Sequence, residues 1–201
     1  MMRSGFTYPD LPHRRRHGPQ GYATYDSYRP WLRDEFDFRC VFCLIREQWG
    51  RVSGEFDLDH YIPVSLHPDG ATDYDNLLYA CSVCNAAKGS HLIPDPNAVL
   101  TAREIVVHDD GTVEGINEDA DRIIRVLDLN DVEYCRWRRT WLRIIALAEQ
   151  YDRPLYNQLL GFPDDLPDLA RLRPPGGNSR PEGIGESSRA KRERGELPQT
   201  Y

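Results

Sequence analysis

Gly54-Glu55-Phe56-Asp57-Leu58-Asp59-His60-Tyr61-Ile62 alternates apolar and polar residues, the period-two pattern of a half-buried strand. Pro63 and the turn-forming His67-Pro68-Asp69-Gly70 end it. Ahead of it, Tyr28-Arg29-Pro30-Trp31-Leu32 through Phe36 predicts a short helix, with Ser27 as N-cap and Pro30 tolerated in the first turn. Downstream, Asn76 to Ala80 leads into Cys81, and Asn85 to Ser90 falls on the first turns of a second short helix. Residues 1–26 are rich in Pro, Gly, Tyr and Arg and follow neither period, so they read as an irregular basic arm able to dock through its tyrosines.

Beyond Pro96, Arg103–Val107 and Thr112–Ile116 flank His108-Asp109-Asp110-Gly111. Asp-Gly suits a turn that needs positive φ, so this stretch predicts a β-hairpin. Asn117 can cap the helix that follows, with Glu118 and Asp119 at its positive end and Ile123, Ile124 and Leu127 on its apolar face. A further helix starts near Asp131. At about 100° per residue, Arg136, Arg139 and Arg143 share one face, and Tyr134, Trp137, Trp141, Ile144 and Ala148 the other, with Leu147 off the stripe. From Pro163 the chain is Pro, Gly, Arg and Glu with few large apolar residues, the composition of a disordered tail. The expected plan is α+β: an arm (1–26), a core (27–95), a hairpin and two-helix extension (96–162) and the tail (163–201).

The formal net charge of the 201 residues is -7, which taken alone argues against a nucleic-acid partner. The acid, however, is concentrated. Residues 109–131 hold eight acids against Arg122 and Arg125, whereas 1–30 hold five arginines against Asp10 and Asp26, and 132–149 four against Glu133 and Glu149. A basic surface is therefore compatible with the sum. No apolar run approaches bilayer length, and the first twenty residues carry Arg14-Arg15-Arg16 rather than a signal sequence, so the expectation is a cytoplasmic protein with no membrane partner.

Two Cys-x-x-Cys pairs, Cys40/Cys43 and Cys81/Cys84, change the picture most. Two residues between thiolates let one tight turn aim both sulfurs at a single tetrahedral ion, and two such turns complete a closed structural zinc site. In a reducing cytosol the disulfide reading of these four is weak. Cys135 stands apart on a helix and is expected to be a buried thiol.

Between the pairs lie Asp59 and His60. Adjacent residues on a strand leave on opposite faces, which predicts different jobs for them. A carboxylate is a hard oxygen donor suited to Mg²⁺ or Mn²⁺, while a neutral imidazole can take a proton from water near neutral pH. Asn85 can add an amide oxygen to the same ion, and Lys88, three residues on, is read as projecting from a neighbouring face towards a phosphate. Asp57, Asp73 and Asp75 read as solvated or turn-capping carboxylates, and His67 and His91 as surface residues, with a third metal ligand or a phosphate contact as the alternative for His91.

Taken in order, Cys-x-x-Cys, a strand ending Asp-His, an Asn, and Cys84-Asn85-Ala86-Ala87-Lys88 resemble the HNH nuclease family, closely over residues 38–90. The resemblance implies the ββα-metal fold on a four-cysteine zinc site, with a hairpin and helical extension of a kind seen in some bacterial members. It implies His60 as general base, Asp59 and Asn85 as ligands of a catalytic divalent ion, and Asn76 as the residue that holds the loop and orients His60. Many members have His where this chain has Asn85. An oxygen ligand there tilts the catalytic metal towards Mg²⁺ or Mn²⁺, with Ni²⁺ and Zn²⁺ as further candidates.

The reaction implied is hydrolysis of DNA phosphodiesters to a 5′-phosphate and a 3′-hydroxyl. Lys88 and the stripe Arg136, Arg139 and Arg143 are the candidate nucleic-acid contacts, and a solvated face is the plain alternative for the stripe. The rival function is a non-catalytic zinc module that binds nucleic acid or protein. One motif gives one active site, so cutting both strands would call for a homodimer or a second encounter.

Overall fold

In the computed structural model, which describes residues 5–49 and 56–201, the alternating segment forms strand β1, Phe56–His60. Gly54 and Glu55, assigned to the head of that strand, lie outside the described residues. β1 pairs antiparallel with β2, Leu77–Cys81, in a register that sets Asp57 opposite Ala80, Asp59 opposite Leu78 and His60 opposite Leu77. Every residue of β2 is buried, because helices α1 (Arg29–Glu35) and α2 (Ser82–Lys88) both pack against it. A strand covered in this way has no solvent face to mark with polar residues, which is why Leu77-Leu78-Tyr79-Ala80-Cys81 shows no alternation. The result is the strand, strand and helix order read from the motif.

α1 holds Pro30 in its first turn as expected, but Ser27 does not cap it. A 3-10 turn over Tyr25–Tyr28 precedes the helix directly and occupies that position. α2 ends at Gly89, whose φ of 48° is cheap only for glycine and whose N–H closes on the Asn85 carbonyl.

The extension opens with a short helix α3 (Pro96–Val99) and the antiparallel hairpin β3 (Ile105–Val107) and β4 (Val113–Gly115). Gly111 turns the hairpin at φ 88°, and a Cβ there would come within 2.2 Å of the Cys135 carbonyl, so the turn packs closely against the helix that carries Cys135. α4 (Glu118–Val126) is capped by Asn117, and α5 (Val132–Tyr151) by Asp131, as the sequence indicates. α6 (Arg153–Leu160) is an additional helix, started by the Asp152 cap and Pro154 in its first turn.

α5 is the beam that joins extension to core. Trp141 stacks on Trp49 at 4.7 Å between ring centroids, and Trp137 meets Phe6 edge-on at 5.9 Å. The buried stripe then runs through Ile145 and Ala148, while Ile144, placed on it by periodicity, is 38% exposed. Arg138 is buried on the same helix, donating to the Gly111 and Leu129 carbonyls over the Tyr134 ring. Cys135 is half-buried rather than buried, with Asn130 beside it.

Residues 163–201 depart from the expected disordered tail. Leu166 and Leu169 are buried, a short helix α7 (Ser188–Glu193) forms, and Tyr201 lies over Arg46. Composition misleads here because polar bonds rather than apolar bulk dock this segment. Ser188 N–H donates to Asp34, Arg180 pairs with Asp75, and Arg46 donates to the Tyr201 carbonyl. The arm docks too, through Tyr8, whose hydroxyl donates to the Phe42 carbonyl, and through Tyr22 on Tyr28.

Arm, α1 and the C-terminal segment meet at two buried carboxylates. Glu35 accepts from the Arg16 and His17 amides and the Tyr74 hydroxyl, with His13 Nε2 2.9 Å from its Oε1; Asp34 accepts from His17 and Ser188. Burial alone would raise the Glu35 carboxyl, but the close approach of His13 and the electrostatic pull of His13 and His17 outweigh it and hold the group at about 2. A carboxyl depressed in the fold stabilises it above its ordinary value near 4.5 and loses that contribution as pH falls towards 2. Chemical denaturation of the wild type and Glu35→Gln should therefore show a gap of up to about 3 kcal/mol at pH 5–7 that closes as pH falls from about 4.5 to 2. A gap independent of pH would contradict this account.

Candidate active site

Cys40 and Cys43 sit in a tight turn after α1, closed by the Leu44 N–H on the Cys40 carbonyl and by the Cys40 N–H on the Ile45 carbonyl. Leu44 takes φ 61° there, an uncommon conformation for a branched residue, held by its burial. Cys81 ends β2 and Cys84 lies in the first turn of α2. All four are buried, and their sulfurs lie within 4.8 Å of one another. Hydrogen bonds from Cys40, Cys43 and Cys84 pull the Cys81 thiol far below its ordinary range, whereas burial pushes Cys40 well above it. A closed tetrahedral ion with soft ligands, the structural zinc pattern, fits this set.

Between β1 and α2 runs a polar layer of two rungs. On β1, Asp57 and Asp59 share the face towards the helix; on α2, Asn85 and Lys88 share the face towards the strand. The Asn85 amide Nδ2 donates to Asp57 Oδ2 at 3.1 Å. Lys88 Nζ donates to Asp59 Oδ1 at 3.0 Å and to the His60 carbonyl at 2.6 Å. Lys88 is fully buried, so the reading of it as a surface phosphate contact is corrected: α2 follows β2 directly and packs back on β1, which turns the side chain inward onto Asp59. Breaking such a buried pair by removing one partner typically costs about 3–5 kcal/mol.

Asp59 is buried as well, and burial pushes its carboxyl above the ordinary range against the pull of Lys88. Its second oxygen, Oδ2, is buried with no hydrogen-bond partner. An orphaned carboxylate oxygen beside an amide that commits only its nitrogen is a donor set that fits a hard cation completed by water or substrate oxygens. Among the described residues, the four cysteines are the one cluster of three or more metal-ligating Cys, His, Asp or Glu side chains.

His60 leaves β1 on the opposite side from Asp59. Its Nε2 lies 2.9 Å from the Ala71 carbonyl, and since a carbonyl only accepts, Nε2 is the donor, so that in a neutral ring the lone pair would sit at Nδ1. The Tyr25 ring meets it edge-on at 5.0 Å. Tyr25 comes from the arm, and no periodicity pointed to it; an aromatic beside the predicted helix start was the available signal.

Asn76 closes the loop that carries Ala71. Its Oδ1 accepts from the Ile62 N–H at 2.8 Å, and its Nδ2 donates to the Ile62 and Gly70 carbonyls at 3.0 and 3.2 Å. Of the acids set aside in the sequence, Asp73 caps the turn before β2 and Asp75 pairs with Arg180, but Asp57 is half-buried and bonded within the polar layer. His67 and His91 are exposed. Arg136, Arg139 and Arg143 form an exposed stripe on α5, outside the β1–β2–α2 unit, with Arg136 paired to Glu133.

Residues 40–91 match the family model described as HNH endonuclease, a span that contains both cysteine pairs, β1, β2 and α2. No curated protein matches the chain. No helix among the described residues is long and apolar enough to cross a membrane.

If the four sulfurs hold one ion that closes the core, Cys81→Ser should lower bound zinc, measured by elemental analysis, and unfold the domain under conditions where the wild type is native. A variant that keeps its near-ultraviolet dichroism without zinc would show that the ion is not the scaffold.

Proposed function

We propose that this chain, which carries an HNH endonuclease domain at residues 40–91, is a metal-dependent endonuclease that hydrolyses DNA phosphodiester bonds. The observation that carries the reading is the commitment of His60 Nε2 to the Ala71 carbonyl, which leaves Nδ1 as proton acceptor at the end of β1. His60 takes the proton from the attacking water. Asn76 keeps the loop, and through it the Ala71 carbonyl, in place, so the imidazole is held in one tautomer and one orientation.

Asp59 and Asn85 would hold the divalent ion, Mg²⁺ or Mn²⁺ by donor chemistry, with Ni²⁺ and Zn²⁺ as less matched alternatives. When bound, such an ion stabilises charge on the phosphoryl and leaving oxygens. Lys88 partly neutralises Asp59 and ties α2 to the His60 backbone, so the two halves of the site move together. Cys40, Cys43, Cys81 and Cys84 would carry zinc as scaffold, remote in role from the chemistry. Arg139 and Arg143 supply exposed positive charge suited to phosphates along a duplex.

The rival reading, a non-catalytic zinc module, needs none of Asp59, His60 or Asn85, since the cysteines alone can hold the fold; the presence of all three, with a defined His60 tautomer, favours the nuclease. Incubation with supercoiled plasmid at low salt, with Mg²⁺, Mn²⁺, Ni²⁺ or chelator, separates the two. Wild type is expected to nick or linearise the plasmid only with a divalent ion. His60→Ala should retain zinc and fold while losing at least about a hundredfold in rate, the usual scale of a general base. Cleavage retained by His60→Ala would remove that residue from its role, and inactivity of the wild type with every metal would favour the binding module.

A further inference from the structure

We infer that Asp57 is a positioning residue for the catalytic cation site, acting through the amide of Asn85; this rests on the nuclease reading of that site. An asparagine amide is two-faced, one oxygen and one NH₂ related by a half-turn of the terminal torsion, and only the oxygen can bind a cation. Something must select the face. Asp57 Oδ2 lies 3.1 Å from Asn85 Nδ2, and an ionised carboxylate accepts but cannot donate, so it holds the NH₂ and leaves Oδ1 free.

The geometry suits this role rather than a structural accident. Asp57 and Asp59 stand two residues apart on one face of β1, and Asn85 and Lys88 three apart on one face of α2. The rung Asp57–Asn85 thus runs beside the rung Asp59–Lys88, and the orphaned Asp59 Oδ2 belongs to the same layer. In each rung one side chain is committed to its neighbour by a single atom, Asn85 by Nδ2 and Asp59 by Oδ1, and each retains one oxygen. A histidine at this position would need its tautomer selected by a partner in the same way. Because this chain has Asn85, Asp57 takes on a task that a bare count of ligands omits.

The test reads metal binding rather than cleavage. The full chain, loaded with zinc, is titrated with Mn²⁺ and the free ion followed by electron paramagnetic resonance. Wild type should bind one Mn²⁺ beyond its zinc. Asp57→Asn should weaken that binding about ten- to hundredfold, the usual effect of losing a residue that orients a ligand, with zinc content and circular dichroism unchanged.

A double-mutant cycle then locates the effect. In an Asn85→Ala background, where there is no amide to orient, Asp57→Asn should cost nothing further. An equal cost in both backgrounds would overturn the inference, because Asp57 would then act as a ligand or a bare charge. Unchanged Mn²⁺ affinity in the single variant would overturn it as well. A wild type that binds no second ion would instead fail the nuclease reading itself, and take this inference with it.

Discussion

The four sulfurs that converge within 4.8 Å are the constraint on which the rest of the molecule depends. A layer of two short strands and a seven-residue helix has little apolar surface of its own. A zinc ion held by the two cysteine turns would tie the chain after α1 to the junction of β2 and α2 and close the segment between Cys43 and Cys81 into a loop. β1 lies inside that loop and is held by β2 through a continuous register. Only with that register fixed do Asp57 and Asp59 face Asn85 and Lys88, and only then can a buried ammonium be compensated.

A second constraint acts from outside the matched domain. Asp34 and Glu35 are carboxylates with no exposed side chain, and their bonds are made by the arm before α1, by Tyr74 just before β2, and by the chain near α7. Buried charges that are fully bonded specify one arrangement, because any other leaves them unpaired at high cost. The same arm delivers Tyr25 against His60 and Phe6 against Trp49 and Trp137. The surrounding chain is thus part of the architecture of the site, in contact with the proposed base itself.

Much of this was legible in the sequence because it rests on local rules. The alternation gave β1, Asn117 and Asp131 cap the helices they precede, and Asp110-Gly111 turns the hairpin. The cysteine spacing anticipated the buried cluster. What was missed depends on partners distant in sequence. Whether Lys88 points out to a phosphate or in to Asp59 is decided by the angle at which α2 returns over β1, and no spacing states that angle. The C-terminal segment has the composition of a disordered tail, yet it is docked by arginine and serine bonds to Asp75, Asp34 and its own carbonyls, which composition does not count. Asp57 was set aside as solvated because its partner lies twenty-eight residues away.

In the proposed site, the pleat of β1 lets one short strand serve two chemistries. A cation lowers the basicity of any nearby proton acceptor, so a base and a cation ligand on the same face would work against each other. Adjacent residues on a strand face opposite ways, and Asp59 and His60 are therefore separated by the backbone between them while remaining one residue apart. The Asp59 side is closed by α2 and the His60 side by the loop that Asn76 holds. Lys88 joins the two, since its ammonium bonds both the Asp59 carboxylate and the His60 carbonyl. The spacing of Asp59 and His60 is set by the rigid geometry of a single peptide unit, whereas the place of Asn85 beside them is set by the packing of α2 on β1, which the Asp57–Asn85 and Asp59–Lys88 bonds fix.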